Sequence, residues 1–259
     1  MSGAPEFEWR SGMVAVTVHG AVATLTLDRP AKLNALDRPF WSDLLAALDA
    51  IAAEGSVRAI VLRGAGPRAF SVGGDVASFA ALGNDADRHT FQVEAMRAFA
   101  AVEQSPIPIV AAVHGFAMGG GCELTLACDI VLASRDAIFG MPEARFGLVP
   151  GYGSIRAPAV IGAQMAKLMI YAGERLDAEA ALRCGLAQKI CATDILFAEA
   201  ARLAAAIAAA PPTAIAAGRR LIDRATDAAL VAQSIDEIAA LHATNASQNA
   251  VAAFLDRQH

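Results

Sequence analysis

Met13 to His19 alternates apolar and polar side chains, Gly20-Ala21 interrupts the run, and Val22 to Asp28 alternates again, which predicts an opening β-hairpin. Downstream the period changes. Trp41, Leu44, Leu45, Leu48 and Ile51 fall on one helical face, with Asp37 placed to cap the helix and Gly55 to end it. Arg58 to Arg63 then reads as a buried strand, Asp85 to Gln104 as a helix and Ile109 to Val113 as a second buried strand, and each strand is followed by a glycine-rich loop. Short strands are predicted at Ile130 to Ala133 and Ala137 to Phe139, ahead of a region rich in proline and glycine turns. Helices at Gln164 to Tyr171 and Ala178 to Cys184 lead to a strand at Leu186 to Cys191. From Asp194 onward only helical periodicity remains, broken at Pro211-Pro212. The pattern predicts a mixed α/β core over residues 1–193 and a helical region over 194–259.

Composition adds a constraint on where this chain is buried. Of its 259 residues 56 % are hydrophobic and only 18 % are charged, against averages of about 45–50 % (glycine included) and about 25 %. Such a chain has ample material to bury, which excludes disorder. The apolar surplus has two destinations, a membrane segment or burial between subunits. Ser105 to Ser134 is interrupted by Pro106, Pro108, His114, Glu123 and Asp129, and Leu196 to Ala217 by Glu199, Arg202, Pro211 and Pro212, so neither reads as a spanning helix. The first ten residues carry Glu6 and Glu8 and lack the basic and apolar regions of a signal peptide, so a cytoplasmic location is expected. Cys122, Cys128, Cys184 and Cys191 show neither CxxC pairing nor zinc-ligand spacing and read as reduced core thiols, with no metal centre. The net charge is −5 and only Lys32, Lys167 and Lys189 are lysines, so no basic stripe invites nucleic acid.

Candidate chemistry lies in the glycine loops. Gly64-Ala-Gly66-Pro-Arg-Ala69 fits the dinucleotide fingerprint in letters but fails in context, because Ser71-Val-Gly-Gly74 follows where a helix should open, and a turn is the better reading. No G-x-S-x-G, P-loop or H-E-x-x-H motif is present. Phe70-Ser-Val-Gly-Gly-Asp75 and His114-Gly-Phe-Ala-Met-Gly-Gly-Gly-Cys-Glu123 each place glycines after a buried strand, where free backbone N–H groups can meet an oxyanion. Glu123 and Glu143 are both predicted in first helical turns, Glu143 behind Pro142. Taken singly, each is an acid complementing a helix N-terminus. Together, in apolar surroundings that raise a carboxyl pKa, they suit general acid–base work.

These residues carry a family resemblance. The chain resembles the crotonase, or enoyl-CoA hydratase/isomerase, superfamily in Arg29-Pro-Ala-Lys-Leu-Asn-Ala-Leu36, Phe70-Ser-Val-Gly-Gly-Asp75, Ala111-Ala-Val-His-Gly-Phe-Ala-Met-Gly-Gly-Gly-Cys-Glu123, Phe139-Gly-Met-Pro-Glu143, Gly147-Leu-Val-Pro-Gly151 and Gly185-Leu-Ala-Gln-Lys-Ile190. The motifs occur in family order over most of the chain. The resemblance implies a spiral of ββα turns with a helical C-terminal oligomerisation region, assembled as a homotrimer or as a hexamer of two trimers. It also implies an acyl-CoA substrate, with coenzyme A as part of that substrate and no separate cofactor.

By position, the N–H groups of Gly74 and Gly120 would form the oxyanion hole for the thioester, with Glu123 and Glu143 as the two hydratase glutamates. Glu123 would activate water for attack at Cβ, Glu143 would supply the proton to Cα, and Gly151 would help to place the water. Leu33, Val72, Asp75, Val76 and Ala77 would lie along the CoA, with Arg29, Lys32 and Arg257 as candidates for its phosphates or, alternatively, as solvated surface charges. The implied reaction is reversible hydration of a trans-2-enoyl-CoA. Alternatives are an isomerase or another 3-hydroxyacyl-CoA dehydratase of the superfamily, and beyond these a non-catalytic or RNA-binding member. Tyr152-Gly-Ser-Ile-Arg156 departs from the usual small G-G-T-Q-R stretch, and Tyr152 is expected to shorten or polarise the acyl pocket. Gln248-Asn-Ala250 likewise replaces the common basic-Glu-Gly turn.

Overall fold

The computed structural model describes residues 6–75, 77–78, 81 and 84–222. Val76, Arg257 and the remainder of the predicted C-terminal helical region therefore lie outside the described residues. The described chain divides into two compact units between Ile207 and Ala208.

In the first unit, β1 (Phe7–Ser11), β2 (Val14–His19) and β3 (Val22–Leu27) form an antiparallel meander, with the predicted hairpin as β2 and β3. β1 was not expected as a separate strand. A 3₁₀ turn (Pro30–Lys32) then leads to α1 (Phe40–Glu54). The helix starts later than the Asp37 cap predicts, because Pro39 takes the N-cap position without a side-chain bond. Its end agrees: Gly55 closes it at φ +74°, in the left-handed region that glycine enters without a Cβ penalty.

The remaining elements wind as a spiral. β4 (Ala59–Gly64) is followed by β5 (Ala69–Ser71) and α2 (Asp85–Glu103), and β6 (Ile109–Val113) by β7 (Phe116–Met118) and α3 (Gly120–Ala127). β8 (Ile130–Ser134) and β9 (Ile138–Gly140) precede a second 3₁₀ turn (Glu143–Phe146), α4 (Gly151–Ile161) and α5 (Ala163–Tyr171). β10 (Arg175–Asp177), α6 (Ala178–Cys184), β11 (Lys189–Cys191) and α7 (Leu196–Ala208) complete the unit. Each turn gives its first strand to a larger sheet, ordered β1-β2-β3-β4-β6-β8-β11, and its second to a smaller one, ordered β10-β9-β7-β5. From β3 to β11 the larger sheet is parallel, and its central strands β4, β6 and β8 read as near-continuous apolar runs because both of their faces are buried. The segment between β4 and β5 is a turn, as expected for Gly64 to Ala69.

β5, β7 and β10, three residues each, were not expected as strands: β5 and β7 sit inside the glycine-rich loops and β10 in a polar stretch, where no apolar run marks them. α4 escapes it because Gly151, Gly153 and Pro158 lie within a helix that the proline and glycine content disguises. The core centres on Phe40, Phe70, Phe91 and Phe139 with the sheet residues Leu25, Leu27, Ile60, Leu62 and Ile109. An edge-to-face set joins Trp41 to Phe40, Phe91 and Phe99, fixing α1 against α2. α7 buries Leu196, Ala200 and Ala204, one face of a helix. No single helix among the described residues is long and apolar enough to cross a membrane. The second unit contributes α8 (Pro212–Ile222), which begins at the predicted proline break.

Candidate active site

The two glycine turns meet. Leu36 and Gly74 form an isolated parallel bridge, in which the Leu36 N–H donates to the Gly73 carbonyl and the Asp75 N–H to the Leu36 carbonyl. Alternation along that bridge leaves the Gly74 N–H directed to the other side, without a hydrogen-bond partner among the described residues. On the opposite turn Gly119 precedes α3 at φ +51°, and Gly120 is the first helical residue, whose N–H has no intrahelical acceptor. A Cβ on Gly73, itself at φ +84°, would lie 2.5 Å from the Met118 carbonyl oxygen and 3.0 Å from the Gly120 nitrogen. The absence of that side chain lets the Gly74 and Gly120 amides share one small region. Gly121 is constrained in the same way, since its Cβ would fall 2.4 Å from the Ser71 carbonyl oxygen.

The first turn is held from below by Asn34, a residue quoted only within a motif by the sequence reading. It is fully buried at φ +56°, a conformation that asparagine tolerates better than most residues. Its Oδ1 accepts from the Arg29 N–H, and its Nδ2 lies 2.9–3.1 Å from the Ala65, Ala69 and Phe70 carbonyls. Ser71 Oγ donates to the Asn34 carbonyl and accepts from the Gly73 N–H. His114 supports the neighbouring turn, with Nε2 2.7 Å from the Gly66 carbonyl oxygen, and burial pushes its pKa down.

Glu123 lies in the first turn of α3, 6 % exposed, and reaches across to the start of α4. Its Oε1 accepts from the Gly153 N–H at 2.7 Å. α4 has no side-chain cap of its own, so this carboxyl from another helix satisfies one of its free N–H groups. Burial raises the Glu123 pKa to about 7, the Gly153 and Tyr152 amides opposing the shift and the charge on Glu143 adding to it. Glu143 opens the second 3₁₀ turn behind Pro142, as expected, and burial also raises its pKa. Its Oε2 is buried without a hydrogen-bond partner, while its Oε1 lies 2.8 Å from where a Cβ on Gly119 would stand. The four principal predicted positions are thus brought together. Gly151 begins α4, with the Met96 sulfur of α2 3.5 Å from the position of a Cβ there.

The predicted CoA contacts divide. Arg29 Nη1 donates to Asp75 Oδ2 at 2.6 Å and to the Ala35 carbonyl, and this pairing holds the Asp75 carboxyl below its ordinary pKa. Two residues expected to face coenzyme A separately are therefore committed to each other. Lys32 is exposed, with its backbone N–H donating to the Arg29 carbonyl and its carbonyl accepting from the Ala35 N–H. Leu33 is half-buried at φ +53°, its carbonyl accepting from the N–H of Val72. Tyr152 differs from its expectation: its hydroxyl donates to Glu103 Oε2 at 2.7 Å and its ring stacks on Phe99, so the polar end is taken up within the fold.

The sequence profile described as Enoyl-CoA hydratase/isomerase matches residues 17–259. The chain belongs to this family. It is similar to the short-chain-enoyl-CoA hydratase of Clostridium acetobutylicum, 32 % identical with 95 % of each chain covered, and to the crotonyl-CoA hydratase of Syntrophomonas wolfei, 33 % identical over 72 % of each. The solved structure of an enoyl-CoA hydratase from Bacillus anthracis superposes with a TM-score of 0.87 at 29 % identity, covering 95 % of this chain and 97 % of the other. The fold has the expected α/β spiral of the family, with one strand of each turn in either sheet.

Proposed function

We propose that this protein adds water reversibly and syn across the double bond of a trans-2-enoyl-CoA, giving a 3-hydroxyacyl-CoA. The observation that carries the reading is the gathering of two buried carboxyls, Glu123 and Glu143, at two touching glycine turns with N–H groups available at Gly74 and Gly120. The family and the names of the relatives support the same chemistry and favour short acyl chains. In this reading the Gly74 and Gly120 amides hold the thioester oxygen and the charge it acquires in the enolate. A single donor of this kind is typically worth about 3–4 kcal/mol in the transition state.

Ionised Glu123 takes a proton from water as its oxygen attacks Cβ, and protonated Glu143 gives its own proton to Cα. One water is consumed, and the proton gained by Glu123 returns to Glu143 through solvent before the next turnover. Burial supports both assignments: a carboxyl near pKa 7 is a usable base at neutral pH, and one raised by desolvation can remain an acid. Gly151 lies at the water's end of the site, Lys32 and Arg257 meet the phosphates, and Val72 and Val76 lie along the CoA. A homotrimer, or a dimer of trimers, gives the apolar surplus its destination, and a stable monomer in light scattering contradicts that assembly.

Purified protein incubated with crotonyl-CoA should remove the conjugated-thioester absorbance. Undiminished activity in Glu143→Gln, or no hydration of short- or medium-chain enoyl-CoA by the native protein, overturns the reading.

A further inference from the structure

Glu103, the last residue of α2, gathers three helices. One carboxylate oxygen accepts from the Tyr152 hydroxyl at 2.7 Å, in the first turn of α4, and the other pairs with Arg156 Nη1 at 3.2 Å, one turn further along. Arg156 also reaches the Leu126 carbonyl at the C-terminal end of α3 through Nε, at 3.4 Å. The Tyr152 ring lies flat on Phe99 of α2, with centroids 5.1 Å apart. The residues on either side of these contacts bear on Glu123: α3 carries it, and the Gly153 N–H beside Tyr152 holds its carboxyl. Pro150 at the N-cap of α4 offers no side-chain cap of its own. Besides the Glu123 carboxyl on the Gly153 N–H, the start of the helix is tied down by Tyr152 and Arg156, and both are joined to Glu103.

We propose that Glu103 is a positioning residue for the hydration, fixing the start of α4 through Tyr152 and Arg156 so that the Gly153 N–H stays on the Glu123 carboxylate. This deepens the proposed function, since it rests on Glu123 being the base. The ionisable groups bearing on Glu123 are Glu143 from the 3₁₀ turn and Cys122 from its own helix. Around the anchor stand Tyr152 and Arg156 of α4, Glu103 of α2 and Cys128 just after α3. When the anchor is lost, the hydrogen bond that favours the ionised carboxyl weakens, and Glu123 holds its proton to higher pH.

The test is the pH profile of crotonyl-CoA hydration for Glu103→Ala, Glu103→Gln and Tyr152→Phe. Glu103→Ala should lower kcat about tenfold with KM little changed, and should move the acid limb of kcat/KM up by about one pH unit. Glu103→Gln, which still accepts from Tyr152, should restore most of both. Tyr152→Phe keeps the ring on Phe99 and removes only the hydroxyl bond, so it should move the limb in the same direction even if Glu103→Ala does not fold. A limb that stays at the native position in the folded variants overturns the proposal. Carboxyl ¹³C titration of Glu123, assigned with Glu123→Gln, reads the same shift without turnover. An upward shift there in protein that hydrates nothing supports the positioning role while the functional reading fails, and an unmoved titration in active protein overturns the positioning role alone.

Discussion

Glu123 and Glu143 are both first-turn acids, yet the structure treats them differently. Glu123 is gripped: its oxygen caps α4 through the Gly153 N–H, and its α-carbon sits in a buried helix. Glu143 is left open: one of its oxygens is buried without a partner, and it stands on a short 3₁₀ turn. The bond from Gly153 orients the Glu123 carboxyl and opposes the rise of its pKa, although burial still lifts it to about 7; burial raises Glu143 as well, against the pull of its own backbone N–H. In the proposed reaction the carboxyl held by Gly153 is the base and the one with a free oxygen is the acid.

The largest effect that tests this difference is Glu143→Gln, which removes the proposed Cα proton donor and should lower kcat by about 10³-fold in the crotonyl-CoA assay. Equal losses of activity and of binding would erase the distinction. Glu123→Gln should lose about 10²–10³-fold in kcat but change stability in a way that depends on pH. Because the folded pKa of Glu123 is raised, from 4.5 to about 7, its stabilising contribution is fully present below the unfolded pKa and is lost as pH rises through 7. Glu123→Gln is free of that loss, so its advantage over the native protein in urea unfolding should grow from pH 5 to pH 8, reaching on the order of 2 kcal/mol. An advantage that shrinks over this range would show the sign to be wrong.

Smaller effects come from the glycine that each carboxyl leans on. Gly119→Ala places a methyl 2.8 Å from Glu143 Oε1 at φ +51°, and Gly153→Ala places one 3.3 Å from Glu123 Cγ and 2.6 Å from the Met141 sulfur. The first combines backbone strain with displacement of the acid and should cost about 2 kcal/mol in thermal unfolding, together with most of the activity. The second stands at an ordinary helical φ and meets the flexible but fully buried Met141 side chain, with Pro150 Cβ at 3.2 Å, and should cost about 1 kcal/mol. Gly153→Ala losing more than Gly119→Ala would reverse the comparison.

Much of this was legible along the chain. The hairpin and the helix Ala178–Cys184 followed from periodicity, because their apolar positions face one buried side, and the strand Ile109–Val113 from an unbroken apolar run buried on both faces. The motifs named Glu123, Glu143, Gly74 and Gly120, which the fold brings to neighbouring turns. What stayed hidden depends on contacts between segments distant in sequence. Asn34 reads as an ordinary loop residue until its side chain is seen bridging carbonyls more than thirty positions away. Arg29 and Asp75 each look available to a ligand until they are found paired. Tyr152 looks like an intrusion into the acyl site until Glu103 takes its hydroxyl.

The sequence by itself thus determined which groups are present and the local backbone they prefer, because apolar period, capping and glycine content act over a few neighbouring residues. Only the tertiary structure decided what each carboxyl faces and how far it is desolvated. The pKa of a carboxyl is set by the solvent, dipoles and charges within a few ångströms of it, and here those belong to α4, the 3₁₀ turn and the opposite glycine turn, which meet only in the folded chain.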